Sequence, residues 1–334
     1  MNVTETEERL WSLFQPESAK QLIRVRSNGT RFVHYTSAES GLAIMRSGRM
    51  LLRNSTLMND FSEVQHGLDC LTSAYRRASG DKLKRLLRTI QPDLPEVLES
   101  AFDSTILDLR TETYLISISE HGDANEGDQF EDRLGRLSMW RAYAQKDGIA
   151  FVFNNGPFLT ETNALNAYSC PVVYASVDAY SEHFATLVDG IEAELQLLQK
   201  YGGHWALENL LLAFRFAAQS TKHPSFREER EWRVIYSPTL LETQGLMDDQ
   251  QKAKIPTEVM CLRGVPQRVY AIPFVNYPDE GFVGATIPEL VDRILVGPTS
   301  DAYAIAQAFV AELEDCGVED AIDRVVVTGI PLRS

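Results

Sequence analysis

The stretch RFVHYTSAESGLAIMRSGRMLLR, from Arg31 to Arg53, predicts a strand, a helix and a second strand in succession. Its first seven residues have the β-branched and aromatic content of a short strand. Ser37 or Ser40 can then cap a helix, and Gly48 lies where a helix C-cap is expected. We therefore expect two strands of one sheet joined by a short helix.

After Arg53, the sequence predicts further strands that are separated by helical segments. Strands are predicted at residues 113–120, 149–154, 171–176, 230–237, 267–275, 292–298 and 324–329, and helices at about 61–110, 178–220 and 301–316. Helices cluster between strands, a pattern typical of an α+β fold with a mixed sheet. We predict a helical N-terminal extension at residues 1–30, followed by a single α+β domain at 31–334 with helical insertions at about 61–110 and 178–220.

Composition excludes several classes of protein. The chain has 334 residues and a formal net charge of −15, which disfavours strong nonspecific nucleic-acid binding. Its four cysteines form no CxxC pair and its six histidines are scattered, so we expect no metal site and no disulfide framework. No apolar run approaches the ~20 residues that span a bilayer, and the acidic N-terminus does not resemble a signal peptide. We expect a cytoplasmic protein that binds no membrane.

The first candidate for binding chemistry is the triplet His34-Tyr35-Thr36. On a strand, His34 and Thr36 point to one face and Tyr35 points to the other. An imidazole and a hydroxyl two residues apart can together bind a ribose or a carboxamide. A core histidine bonded to the backbone, near a threonine at the strand end, is the simpler explanation of the triplet taken alone.

The second candidate is the charged segment FREEREWR, from Phe226 to Arg233. If this segment is a strand, alternation puts three charged side chains on one face: Glu229, Glu231 and Arg233. Two buried carboxylates repel, so the pKa of at least one should rise unless a cation, Arg227 or Arg233, compensates. A carboxylate here can bond a ribose 2′-hydroxyl and stabilise an oxocarbenium-like centre. An exposed ladder of charges on an edge strand explains the same pattern.

Three further pairs of residues are weaker candidates: Trp140 and Tyr143, Asn59 and Asp60, and Ser117 and Ser119. The aromatic pair shares a helix face, although aromatic residues at this spacing are more often part of a core. The Asn-Asp pair is suited to cap the helix that follows it. The serine pair places two hydroxyl groups on one face of a predicted strand, where packing alone would prefer apolar side chains.

In this order and spacing, the motifs together resemble the bacterial domain-of-unknown-function family 2971. The resemblance rests on HYTS at residues 34–37, NDxxE at 59–63, SMWRAYA at 138–144, a lysine at 222, ExEWR at 229–233 and ILVGP at 294–298, and it extends from about residue 31 to 317. It implies the ADP-ribosyltransferase fold, a mixed split β-sheet with inserted helical segments.

The resemblance also implies roles for individual residues. In that fold the first strand binds the ribose next to nicotinamide, a middle strand supplies a serine, and a late strand supplies the catalytic glutamate. The matching residues are His34 with Tyr35 and Thr36, then Ser117 or Ser119, then Glu231. Glu229 matches the first acid of an ExE pattern, which positions the acceptor, and Trp140 or Tyr143 can stack on nicotinamide. The supporting residues are Asn59, Asp60 and Arg233. The middle strand, LISIS, departs from the usual Ser-Thr-Ser order.

The activity implied by the resemblance is that of an ADP-ribosyltransferase, a glycosyltransferase that uses NAD as a substrate and needs no metal. It cleaves the bond between nicotinamide and ribose and transfers ADP-ribose to an acceptor, here an unknown macromolecule. Toxin and phage-defence roles are the settings that the resemblance suggests. A catalytically inactive module that binds a nucleotide or a protein on the same fold is the alternative.

Overall fold

The computed structural model describes residues 12–58, 63–122, 129–144, 146–243, 249–262 and 264–331. Its strands are β1 (Arg31–Ser37), β2 (Arg49–Asn54), β3 (Tyr114–His121), β4 (Gly148–Phe153), β5 (Tyr168–Pro171), β6 (Val173–Tyr174), β7 (Thr221–Lys222), β8 (Glu231–Tyr236), β9 (Thr257–Leu262), β10 (Val265–Pro273), β11 (Val291–Val296) and β12 (Val325–Val327). Its helices are α1 (Pro16–Asn28), α2 (Ala38–Ser47), α3 (Glu63–Tyr75), α4 (Ala78–Ile90), α5 (Leu94–Asp103), α6 (Ile106–Thr111), α7 (Gln129–Leu134), α8 (Leu137–Tyr143), α9 (Tyr180–Ala193), α10 (Leu195–Tyr201), α11 (Gly203–Ser220), α12 (Pro238–Thr243), α13 (Asp249–Lys254), α14 (Ile287–Leu290), α15 (Ala302–Asp315) and α16 (Ala321–Arg324).

The predicted strand–helix–strand opening is confirmed, since β1, α2 and β2 follow one another. Ser37 caps α2, because its Oγ accepts a hydrogen bond from the N–H of Ser40 at 3.2 Å. Gly48 ends the helix with a φ of 59°, a left-handed conformation that glycine adopts without steric cost, and its N–H donates to the carbonyl oxygen of Met45. These local signals determine where the chain passes from sheet to helix and back.

Within the described residues ten strands form one mixed sheet, so the predicted α+β class is confirmed. The order is β12-β11-β4-β1-β3-β2-β10-β9, with β8 paired to β3 and β5 paired to β8. Strands β6 and β7 form a separate parallel pair. The strand predictions need correction: residues 171–176 divide between β5 and β6, and β7 and β9 were missed. Alternate residues of β9 are exposed at the edge of the sheet, which leaves its hydrophobic pattern weak.

The sheet divides where β1 leaves β3. β1 pairs with β3 only through residues 31–33, and it then follows β4 as far as Ser37. On one edge, β3 pairs with β8 from Tyr114 to Ser119. On the opposite edge, the one that also pairs with β1, β3 meets β2 only at Leu115 and Tyr114. The edge of β3 at residues 116–118 is therefore covered by neither β1 nor β2.

The two largest of four hydrophobic clusters among the described residues support the sheet and the helices. One packs against the sheet and includes Phe32, Phe151 and Trp232. The other holds α3–α6 and α9–α11 together and includes Leu68 and Phe214. The two helical segments predicted as insertions thus pack on each other, with α3 against both α9 and α11. Among the described residues, no helix is both long and apolar enough to cross a membrane.

The packing of α3 on α11 is tested by a methyl group at Gly67. A Cβ there would lie 2.2 Å from the carbonyl oxygen of Ala218. Gly67→Ala should therefore destabilise the protein by about 1–3 kcal/mol in urea unfolding, because the helices must separate. At an open helix position the same change would stabilise by about 1 kcal/mol.

The control for this variant is Gly156→Ala, where a Cβ meets no atom within 4 Å. It should change the free energy of unfolding by less than about 0.5 kcal/mol. An unchanged or increased stability of Gly67→Ala would contradict the close approach of the two helices.

Candidate functional site

Strand β8 places the charged residues Glu231 and Arg233 in the interior of the sheet. It lies between β3 and β5, and all six of its residues are buried. Glu231 and Arg233 lie opposite Ser119 and Ser117 of β3, so four polar side chains share one face. The alternative interpretation, an exposed ladder of charges on an edge strand, is wrong because β8 has a neighbour on both sides.

Hydrogen-bond donors enclose the Glu231 carboxylate. Its Oε1 accepts bonds from Ser117 Oγ at 2.5 Å and Arg233 Nε at 2.9 Å, and its Oε2 accepts one from Lys222 Nζ at 3.0 Å. Burial by itself raises the pKa of a carboxyl group, but Arg233 and Lys222 outweigh burial, so the pKa of Glu231 is lowered. Two cations compensate the carboxylate: Arg233, one of the two that the sequence predicted, and Lys222. The other predicted cation, Arg227, is exposed.

Glu229 also contacts Lys222, but from a position outside the strand on which the sequence had predicted it. It ends a six-residue 3₁₀ turn, and Arg230 after it has a left-handed φ of 43°, so the strand begins only at Glu231. The predicted strand alternation through Glu229 is therefore wrong. Glu229 Oε2 nevertheless accepts a bond from Lys222 Nζ at 2.7 Å. Lys222 thus bridges both glutamates.

Two tyrosines complete this charged cluster. The hydroxyl of Tyr143, at the end of α8, donates to Glu229 Oε1 at 2.6 Å, and burial and this bond raise the pKa of Tyr143. The hydroxyl of Tyr174, on β6, accepts a bond from the N–H of Glu231 at 2.8 Å, and burial raises the pKa of Tyr174. Both hydroxyls stay protonated at neutral pH, so neither acts as a base.

Sequence reasoning assigned no role to Lys222 and did not single out Tyr174. Lys222 lies on β7 directly after α11, seven residues before Glu229, and its place in the family pattern was the available signal. Tyr174 had no signal, because only the pairing of β6 with β7 brings it beside Lys222. We use the name charged cluster for six residues: Tyr143, Tyr174, Lys222, Glu229, Glu231 and Arg233.

His34 is connected to the charged cluster through Ser117. Its Nδ1 lies 3.0 Å from the backbone oxygen of Ser117, and because a carbonyl only accepts, Nδ1 carries the proton. Burial lowers the pKa of His34, and the bond to Ser117 opposes this only in part, so the ring is neutral at pH 7. The simpler prediction, a histidine bonded to the backbone, is therefore confirmed. Its bond leads, however, to the residue that holds Glu231.

The imidazole and the carboxylate do not share one face of the sheet. Val33 pairs with Ser119, so by alternation His34 points away from the face that carries the Ser117 and Glu231 side chains. The ring meets the Ser117 carbonyl at the uncovered edge of β3. His34, Ser117 and Glu231 thus form a hydrogen-bonded series across the divided sheet. The sequence had predicted a different arrangement, in which these three side chains surround one ribose.

Two of the predicted binding residues belong to the core. Trp140 is 1% exposed, its Nε1 donates to the carbonyl oxygen of Leu134 at 2.7 Å, and its ring packs edge-on against Tyr35 at 4.9 Å. Tyr35 is also buried, and its hydroxyl accepts a bond from the N–H of Arg136. Neither ring is open to a ligand, because both rings belong to one buried hydrophobic cluster on this face of β1. We therefore leave Tyr35 and Trp140 out of the site.

The remaining predicted residues have different positions. Thr36 is half-buried on β1 opposite Ile149, and Ser119 is buried beside Glu231 on the face of the charged cluster. Asn59 and Asp60 lie outside the described residues. Within the described ranges, no three His, Cys, Asp or Glu side chains gather as a metal site would require.

Comparison with known families bears on this part of the chain. Residues 139–234 match the model of a family described as a protein of unknown function, DUF2971. The resemblance inferred from the sequence is confirmed over this segment. It runs from α8 to β8 and so contains the whole charged cluster. No curated protein and no solved structure matches the chain.

Removing the charge of Glu231 tests its partnership with the buried cations. Glu231→Gln should destabilise the protein by about 3–5 kcal/mol at pH 7, because Arg233 and Lys222 lose a buried counter-charge. Since folding lowers the pKa of Glu231, its stabilisation is complete above the unfolded value of about 4.3 and is lost as pH falls through the folded pKa. Urea unfolding should show a smaller gap between wild type and variant at pH 3 than at pH 7.

Glu161→Gln is the control, since the Glu161 side chain is 49% exposed and its one ion pair within the described ranges is with the exposed Arg26, at 3.4 Å. Its effect should stay below about 1 kcal/mol. A gap for Glu231→Gln that stays constant or widens in acid would mean that residue 231 is not ionised in the folded protein.

The tautomer of His34 is a second test of the site. Ring ¹⁵N shifts should show a neutral imidazole protonated at Nδ1, and the neutral form should persist below pH 6.5, where a free histidine takes up a second proton. Because folding lowers this pKa, stability is full above pH ~6.5 and falls as pH drops from there to the folded pKa. His34→Gln assigns the signal by its loss. A neutral ring protonated at Nε2 would refute the bond to Ser117, and a doubly protonated ring at pH 6 would refute the lowered pKa.

Proposed function

We propose that the protein is an ADP-ribosyltransferase-like enzyme that cleaves NAD and transfers ADP-ribose to a macromolecular acceptor. The observation that carries the proposal is the hydrogen-bonded series from His34 through Ser117 to the ionised carboxylate of Glu231, placed where the sheet divides. The family match over residues 139–234 covers Glu229 and Glu231 but supplies no activity.

Glu231 has the charge state that the reaction needs. Arg233 and Lys222 keep it ionised, and an ionised carboxylate can accept a ribose hydroxyl proton in a hydrogen bond and stabilise a cationic sugar. Ser117 holds Oε1 at 2.5 Å, which fixes the orientation of the carboxylate. Its Oε2 accepts a bond from Lys222 Nζ at 3.0 Å and a longer one from Arg233 Nη2 at 3.4 Å, so Oε2 is held less tightly than Oε1 and is the atom that we assign to the ribose.

Glu229 is the better-placed group for the acceptor. Its side chain is 15% exposed, compared with 3% for Glu231. In the proposed reaction the bond between ribose C1′ and the nicotinamide nitrogen breaks, and its electron pair leaves with nicotinamide. The acceptor nucleophile then bonds to C1′ and releases its proton to solvent water, and Glu229 orients that nucleophile. A toxin or phage-defence effector acting in the cytoplasm is the setting that we propose for this chemistry.

One observation favours a second candidate, a noncatalytic module that binds a nucleotide or a protein. The carboxylate of Glu231 is enclosed by Ser117, Lys222 and Arg233, as in a purely structural ion pair. Such a module would bind its ligand saturably and release no product.

Release of nicotinamide from NAD separates the two candidates. With NAD as substrate we expect turnover by the wild-type protein and a loss of at least about 100-fold in Glu231→Gln, because the charge that stabilises the cationic sugar is gone. Ser117→Ala keeps both glutamates and both cations, and it should lower the rate about 10-fold by freeing the carboxylate. Glu229→Gln should retain nicotinamide release and lose transfer to the acceptor.

Circular dichroism establishes that each variant is folded at the assay temperature, and Glu208→Gln, an exposed change on α11, is the matched control. Background turnover in wild type and Glu231→Gln alike, combined with a saturable thermal shift by NAD, would select the noncatalytic module. Neither turnover nor a thermal shift would remove NAD as the ligand.

A further inference from the structure

The turn at Pro224–Glu229 joins β7 to β8 and is fixed at both ends. At its start, His223 Nδ1 accepts a hydrogen bond from the N–H of Ser225 at 3.3 Å. At its end, the guanidinium of Arg136 donates to the carbonyl oxygen of Glu228. The side chains of this turn therefore hold defined positions beside the charged cluster.

One of these side chains, Phe226, lies against the ammonium of Lys222. The ring centroid is 4.6 Å from Lys222 Nζ, within the ~6 Å over which a cation is attracted to the face of an aromatic ring. The Lys222 side chain is only 5% exposed, so dissolved ions screen the attraction little. The contact is accordingly stronger than a cation–π contact at the protein surface.

Packing in a hydrophobic core does not account for Phe226. The residue is half-buried, and it belongs to none of the four hydrophobic clusters among the described residues. The ammonium of Lys222 is thus the partner that the structure gives to its ring.

Lys222 connects this ring to both acids of the charged cluster. Its Nζ donates to Glu229 Oε2 at 2.7 Å and to Glu231 Oε2 at 3.0 Å. Phe226 and Glu229 are three residues apart in a 3₁₀ turn, where side chains at this spacing lie on one side. The ring and Glu229 therefore hold the ammonium from the same turn, and its position relative to Glu231 depends on both.

We propose that Phe226 is a positioning residue for the reaction at Glu231. Its ring fixes the ammonium of Lys222, and Lys222 in turn orients Oε2, the oxygen assigned to the ribose. Without the ring the ammonium moves away from Oε2, so the transition state loses stabilisation while the binding of NAD is unchanged. The effect on the reaction rests on the proposed function, whereas the contact between ring and ammonium does not.

Replacing Phe226 by phenylalanines that carry one, two or three ring fluorines tests the contact itself. Each fluorine withdraws electrons from the ring face and weakens its attraction for a cation, while the side chain stays apolar. The urea midpoint of the full chain should therefore fall stepwise with the number of fluorines. A midpoint that stays constant or rises would mean that the ring only packs, and would overturn the proposal. The same series at Phe274, a half-buried phenylalanine with no described cation over its ring, is the control and should show no stepwise fall.

Nicotinamide release from NAD tests the catalytic part of the proposal. Phe226→Leu should lower kcat about 10-fold, the kinetic equivalent of a desolvated cation–π contact, and leave KM within about 2-fold of wild type. Phe226→Tyr keeps the ring face and should restore kcat to within about 2-fold of wild type. Phe274→Leu is the matched control and should behave like wild type.

A kcat for Phe226→Leu equal to that of wild type would overturn the positioning role. A raised KM with an unchanged kcat would overturn it too, because the ring would then contact the substrate. If the wild-type protein itself releases no nicotinamide, the proposed function fails and the catalytic part of this proposal fails with it, while the fluorine series still decides whether the ring holds the ammonium. The fluorinated rings are nearly isosteric with phenylalanine, so that test stands even if Phe226→Leu does not fold.

Discussion

The buried guanidinium of Arg233 is the group whose need for charged and hydrogen-bonding partners constrains the structure around it. Its side chain lies wholly inside the protein, where a charge is tolerated only with ionic and hydrogen-bonding partners. Its Nε bonds to Glu231, and its Nη1 donates to the carbonyl oxygen of Gln219 at 2.6 Å. Lys222 and Glu229 complete the balance, so that two cations and two carboxylates carry no net charge. A buried group of this kind holds its members in one arrangement.

This arrangement joins three parts of the fold that are distant in sequence. The helical layer contributes α11, whose last turn is fixed because Gln219 donates to the hydroxyls of Thr113 and Ser237. Lys222 follows that turn immediately, β8 brings the second glutamate, and α8 brings Tyr143. A shift of α11 therefore moves Lys222 relative to both carboxylates. The chemistry proposed for Glu231 depends on the helical layer as much as on the sheet.

The strand pair β6–β7 is the partition between two different environments. On one side Tyr174 and Lys222 belong to the charged cluster, and on the other side Val173 packs against the apolar core of the helical layer. Both sides share the same four residues of backbone.

The sequence by itself determined the elements whose signals are local. The strand–helix–strand opening followed from Ser37, Gly48 and the composition between them, because caps and hydrophobic periods act within a few residues. It also predicted Arg233, with Arg227 as the alternative, as the cation that compensates the buried carboxylates. Tertiary structure alone decided that β8 is interior, that Trp140 is core while Tyr143 reaches Glu229, and that Lys222 lies between two acids. Those outcomes depend on which strands and helices become neighbours. Contacts between segments that are distant in sequence produce no periodic pattern of residues from which they could be predicted.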